Sequence, residues 1–140
     1  MRERRQVKYA LDSDVIIYAA SPGHPLGTPV WQLLQDAAPE SHIGSVLLLT
    51  EVLARPMREG KTPELGLLGN LLAVLALHDL TRATALLATG LAASYRLRAP
   101  DAIHLACAVQ AGADAFLTNN RKDFRQDEVL EVRVMYPEDL

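Results

Sequence analysis

Cysteine, aromatic side chains and long uncharged runs are all scarce in this chain of 140 residues, and each scarcity removes a class of protein. The single cysteine, Cys107, excludes an internal disulfide framework and a cysteine-rich zinc site, and it suits a reducing cytoplasm, the expected location. Aromatics make up 5%, so the hydrophobic fraction of 49% rests on Leu, Ala and Val, which suits a compact α/β or helical core and not a disordered chain. The longest uncharged stretches, Leu65 to Leu77 and Ala83 to Tyr95, are shorter than a membrane span and contain Gly, Asn, Thr or Ser, so no membrane partner is expected. Excess positive charge is missing too. A net charge of -3 argues against a surface that coats nucleic acid, although Arg2, Arg4, Arg5 and Lys8 early and Arg121, Lys122 and Arg125 late leave local basic patches. The basic start has the outline of a signal peptide, but Asp12 and Asp14 interrupt the apolar region such a signal needs. With no repeat, low-complexity tract or linker, residues 1–140 read as a single domain with residues 1–6 a flexible basic lead.

What is present is charge in an unexpected place. Residues Val7 to Leu11 read as a buried strand, and Asp12 and Asp14 close it where nothing structural demands carboxylates. A helix over residues 14–20 follows, capped by Ser13 or Asp14, and a second runs from Pro29 to about Ala37. His42 to Gly44 forms a short strand. The helix after it starts at Ser45, carries Leu48, Val52 and Met57 on one side, and ends or kinks near Arg55-Pro56. Another helix starts near Pro63, Val74 to Leu77 makes a third strand, and Thr81 caps a helix whose buried face carries Ala83, Leu86, Leu87, Gly90, Leu91 and Ser94. Ala99-Pro100-Asp101 opens a helix through Gln110 that stops at Gly112. Ala115 to Thr118 is a strand, Asn119 to Phe124 a polar loop, and Val129 to Met135 a final strand.

Strands alternating with helices predict a parallel sheet covered on both faces, with ligands beyond the carboxyl ends of the strands. Asp12 and Asp14 end the first strand, and Asn119, Asn120 and Asp123 follow the fourth directly. Asp101 opens a helix that runs antiparallel to the next strand and so begins at the same edge. Glu51, two turns into its helix, is placed there less strictly. Singly, Asp101 and Asp14 fit helix caps, Glu51 a solvated helix acid and Asp123 a loop charge; their joint placement shifts the balance toward a site. Four carboxylates about 6 Å apart would repel by roughly 3 kcal/mol per pair at an effective dielectric near 20, so a cation or protonation is required. All-oxygen donors select Mg²⁺ or Mn²⁺, whose natural chemistry is phosphodiester hydrolysis. His104, three residues after Asp101, reads as a supporting or packing residue and Cys107 as core.

Four blocks permit a comparison: L-D-S-D-V-I-I-Y at 11 to 18, T-E-V-L at 50 to 53, A-P-D-A-I-H-L-A-C-A at 99 to 108 and F-L-T-N-N-R-K-D-F at 116 to 124. In this order they resemble the PIN domain, and within it the VapC-type toxins of toxin-antitoxin pairs. The resemblance implies a three-layer α/β/α sandwich with a central, mostly parallel sheet. It also implies a divalent-metal endoribonuclease with the acids carried over as Asp12, Glu51, Asp101 and Asp123, accompanied by Thr118 and Asn120. Asp14 stands where the family often has Asn, and Asn120 where many members have Asp. That leaves open whether Asp123 or the Asn119-Asn120 pair completes the metal shell.

On this reading Asp12, Glu51 and Asp101 hold Mg²⁺ or Mn²⁺, while Asp123 or Asp14 places a water or a second ion. Arg55, Arg96, Arg98, Arg121 and Lys122 are candidates for RNA phosphates. The family also implies a homodimer and a small antitoxin partner, with Leu-rich helix surfaces between residues 29 and 77 available for contacts. Two alternatives compete: a catalytically inactive RNA-binding or scaffold module of the same fold, and a haloacid-dehalogenase-like phosphatase using Asp12 as nucleophile.

Overall fold

A computed structural model describes residues 6–140 of the chain, so the lead expected over residues 1–6 lies outside the described residues apart from Gln6. Five strands form one sheet: β1 (Tyr9–Leu11), β2 (Ile43–Ser45), β3 (Ala76–His78), β4 (Ala115–Leu117) and β5 (Arg133–Met135). Their order is β3-β2-β1-β4-β5, and every pairing is parallel. The parallel sheet expected from the alternation, which the resemblance makes mostly parallel, is wholly parallel. The strands are shorter than the apolar runs that announce them, because only their central residues find ladder partners.

Both faces of the sheet are apolar, as helices on both sides require. Ala10, Phe116 and Val134 point into one core cluster, while their neighbours Leu11, Leu117 and Met135 point into the other, the period-two alternation of a strand. The second cluster is closed by α1 (Ser13–Ala19), α2 (Gly27–Asp36), α3 (Leu47–Arg58) and α4 (Thr62–Ala73). The first is closed by α5 (Arg82–Tyr95) and α6 (Ala99–Gln110). These are the three layers of the expected sandwich.

Local chemistry explains most element ends. Thr81 accepts the Thr84 amide at 3.1 Å and caps α5 as expected, and Gly112 takes φ 69° just beyond α6. Three expectations need correction. The α1 cap is Asp12, whose carboxylate accepts the Ser13 amide at 2.9 Å, not Ser13 or Asp14. α3, expected to end or kink near Arg55-Pro56, runs two residues past the proline to Arg58. Leu48, Val52 and Pro56, spaced by four, form its buried face, and Met57 is 63% exposed. On α5 the buried stripe is Thr84, Ala88 and Leu91, and Leu86, expected inside, is 67% exposed.

Candidate active site

The chain lays down β1, β2 and β3 in one direction and then returns to place β4 on the other side of β1. At such a switch point the connections leave in opposite directions and open a crevice beyond the strand ends. Asp12 follows β1 and Thr118 follows β4, and the ladder extends to both: the Asp12 amide donates to Leu117 O at 2.9 Å and the Thr118 amide to Met135 O at 3.1 Å. The two residues meet in the crevice, where Thr118 Oγ1 donates to Asp12 Oδ2 at 2.8 Å. Asp12 is only 4% exposed, with one oxygen held by the Ser13 amide and the other by Thr118. Burial pushes its carboxyl above the ordinary range, against the pull of His104, Thr118 and Ser13, and Glu51 adds to the rise. A phosphatase would need this carboxylate presented as a nucleophile; its two occupied oxygens and its burial speak against that alternative.

Asp14 sits in the first turn of α1 but does not cap it. Its Oδ2 accepts the Asn119 amide at 3.1 Å, and its buried Oδ1 has no hydrogen-bond partner among the described residues. Burial, followed by the charge of Asp12, pushes its carboxyl up to about 7, with Asp101 contributing in the same sense. Asp101 occupies the first turn of α6, where the helix N-terminus favours a carboxylate. Its Oδ2 is also buried without a hydrogen bond, with Arg98 Nε 3.8 Å away. Burial raises it, and the charges of Asp12 and Asp123 act in the same direction. Asp123 lies in the loop after β4, where Asn120 Nδ2 donates to its Oδ2 at 3.0 Å, and the Asn120 amide is held by Thr118 Oγ1 at 3.0 Å. Asn120 is thus a brace for Asp123.

Glu51 reaches the crevice from α3 and meets His104 of α6, Oε1 against Nε2. The sequence undervalued this histidine. His104 is 2% exposed, and burial alone would lower its pKa; the hydrogen bond it makes to Glu51 and the charges of Asp12, Glu51 and Asp101 outweigh that and raise it. The acids around it thus favour the protonated imidazole. Its spacing of three from Asp101 on one helix was the available signal. Asn119, whose amide orients Asp14, was likewise seen only as an alternative ligand.

Five acids are thus brought to one crevice, with Thr118, Asn120 and His104 among them. The basic candidates behave differently. Arg55 Nε pairs with Glu59 at 3.0 Å, beside a groove of about 280 Å³ that Glu51 also lines. Arg96 closes α5 in the left-handed region at φ 55°, Arg98 stands beside Asp101, Lys122 is exposed, and Arg121 engages Glu138. Between residues 29 and 77, Trp31, Leu49 and Met57 are exposed, whereas Leu34, Leu48, Leu68, Leu71 and Leu72 are core.

The donor chemistry suits a hard divalent cation: five carboxylates, two of whose oxygens are buried without a hydrogen bond among the described residues. As the side chains stand, no group of three or more His, Cys, Asp or Glu has the arrangement to hold a metal ion among the described residues. Glu51 is turned toward His104, so a chelate would require its carboxylate to shift.

The PIN domain family profile matches residues 9–128, most of the chain. The chain belongs to the PIN domain family. Solved structures agree on the fold. A toxin-antitoxin complex from Klebsiella pneumoniae superposes with a TM-score of 0.72 at 22% identity, over 93% of this chain and 97% of that one. DNA-bound VapBC from Salmonella typhimurium gives 0.73 at 15% identity, over 94% and 99%. The sarcin-ricin loop cleaving toxin VapC20 of Mycobacterium tuberculosis gives 0.65 at 15% identity, over 90% and 99%. No curated protein matches the chain. In this PIN domain the matched region contains all five acids and His104, and it stops short of β5 and the C-terminal turn.

Proposed function

We propose that this PIN domain is a Mg²⁺- or Mn²⁺-dependent endoribonuclease that hydrolyses RNA phosphodiester bonds and serves as the toxin of a toxin-antitoxin pair. The observation that carries the reading is the gathering of Asp12, Asp14 and Asp101 at the switch point, with an oxygen on each of the last two buried without a hydrogen bond among the described residues. Asp12, Asp101 and Glu51 are the residues that would hold the cation, and it would supply Lewis-acid polarisation of the scissile phosphate and a more acidic water. The chain's own residues prepare the site. Thr118 and the Ser13 amide fix both oxygens of Asp12, Asn120 fixes Asp123, and His104 holds Glu51 between the acids. Asp14 or Asp123 orients the attacking water.

The fold's likeness to a chain of a toxin-antitoxin complex and to a toxin described as cleaving the sarcin-ricin loop supports an RNA substrate and an antitoxin partner; a small antitoxin that covers the acidic crevice and a homodimer complete the proposal. The test is cleavage of a mixed RNA pool in Mn²⁺. Asp12→Asn and Asp101→Asn should each lower the rate by about a hundredfold or more, the scale of a disabled metal site, while remaining folded by circular dichroism. Rates equal to wild type in both variants would sink the reading.

One observation favours a second reading, an RNA-binding module without catalysis: Glu51 is engaged by His104, and among the described residues no three ligands are gathered. A Mn²⁺ titration followed by thermal melting separates the two, since a module that binds no ion gains no stability from it.

A further inference from the structure

Arg121 lies in the loop that carries Asn119, Asn120 and Asp123, and composition alone marks it as a phosphate contact. Each of its three nitrogens already has a partner. Nε donates to Asn119 Oδ1 at 3.0 Å, Nη2 donates to Glu138 Oε2 at 2.6 Å, and Nη1 pairs with Glu138 Oε1. The guanidinium also lies 4.3 Å from the centre of the Tyr136 ring. Tyr136 is itself fixed: its hydroxyl donates to Phe124 O at 2.8 Å, and its amide donates to Asp139 Oδ2 at 2.9 Å. A 3₁₀ turn, Pro137–Asp139, follows it. On the other side, the Asn119 amide donates to Asp14 Oδ2. A continuous path therefore runs from Glu138 through Arg121 and Asn119 to Asp14.

We propose that Arg121 is a positioning residue that ties the C-terminal turn to the acid cluster through Asn119 and Asp14, and not a contact for RNA phosphate. The proposal rests on the reading of that cluster as the catalytic site. An isolated exposed ion pair would order little. This one is a two-pronged fork to a carboxylate, stacked on a ring and bonded onward to Asn119, the geometry in which a planar guanidinium loses least freedom. It holds the Asn119 side chain while the Asn119 amide holds Asp14, so the carboxylate keeps one oxygen bonded and the other buried without a hydrogen bond. Lys at this position keeps the charge and loses the fork.

The two roles give Glu138→Gln opposite consequences. If Arg121 binds phosphate, Glu138 competes with RNA, and its neutralisation tightens binding. If Arg121 is a strut, Glu138→Gln and Arg121→Gln both loosen the loop. Amide hydrogen exchange over residues 118–124, measured without RNA or metal, should quicken by about two- to fivefold in Arg121→Gln, Arg121→Lys and Glu138→Gln alike. In RNA cleavage all three should lower kcat, with KM and its salt dependence unchanged. Unaltered exchange overturns the proposal. So does tighter RNA binding by Glu138→Gln together with the loss of about one charge from the salt slope in Arg121→Gln. If the wild type cuts no RNA, the nuclease reading falls, and the exchange measurement still decides whether the strut exists.

Discussion

Asp12 and Asp14 are one residue apart in sequence and alike in chemistry, yet the fold gives them different surroundings. Asp12 has both oxygens bonded, whereas Asp14 has one bonded and one buried without a partner. For Asp14 the folded pKa of about 7 lies above its ordinary 3.8. The folded state therefore holds a proton that the unfolded chain releases, and its stabilising contribution is full below pH 3.8 and lost as pH rises through about 7. Asparagine keeps an oxygen to accept the Asn119 amide and removes the charge. Asp14→Asn should therefore raise the stability of the metal-free protein at pH 8 on the order of 2 kcal/mol, about 6 °C in Tm, and do little at pH 4. Equal melting temperatures at pH 8 would show that Asp14 is not held against its charge. The sequence showed the pair and its insertion between apolar runs. It did not show which acid is the cap, because that depends on the Thr118 and Asn119 partners arriving from β4.

At the scale of elements, the same division between local and distant information recurs. Strand and helix order, the Thr81 cap and the arrival of Asp101 at the crevice follow from short-range rules and were legible. Pro56 misled because a proline loses one helix bond and strains the turn before it, at about 3 kcal/mol in a helix interior. Here its ring completes a buried face with Leu48 and Val52 close to the end of α3. The α5 stripe misled because Ala and Leu surround that helix on all sides. Its buried face is selected by α6, where Gln110 accepts the Thr84 hydroxyl at 2.6 Å. The contact of α3 with α6 through Glu51 and His104 is of the same kind, a pairing across 53 positions with no local trace. Gly27 provides an element-scale test. A Cβ there would stand 1.9 Å from Tyr18 O, backbone that cannot move aside without displacing α1 from α2. Gly27→Ala should cost about 3 kcal/mol by urea unfolding, at the upper end of overpacking effects. Gly66→Ala, with no atom within 4 Å of its Cβ and a site inside α4, should instead be neutral or slightly stabilising.

For the molecule as a whole, the crevice concentrates charge that the fold alone does not neutralise, and the consequence is a stability that depends on pH and on cations. Asp12, Asp14 and Asp101 all have carboxyls raised chiefly by burial, so each contributes stability that is lost as pH climbs through its folded value. His104 is raised as well; its contribution is full below 6.5 and is lost as pH rises through its folded pKa. His42 has the opposite sense. Its Nδ1 accepts the Tyr9 amide at 3.1 Å while burial lowers its pKa, so its contribution is full above 6.5 and is lost as pH falls. From pH 6.5 to 8, then, the His42 contribution is already full, Asp14 releases its proton as pH passes about 7, and the contribution of His104 declines in the same sense. Melting in the presence of a chelator should show Tm falling over this interval by several degrees. A divalent cation binds the deprotonated carboxylates in the folded state, and its stabilisation should therefore grow as pH rises. Saturating Mn²⁺ should flatten or reverse the slope in the wild type and leave it unchanged in a variant carrying both Asp12→Asn and Asp101→Asn. Parallel curves with and without Mn²⁺ across the whole interval would show that the acids serve the fold without a metal, and would leave the non-catalytic module as the better reading.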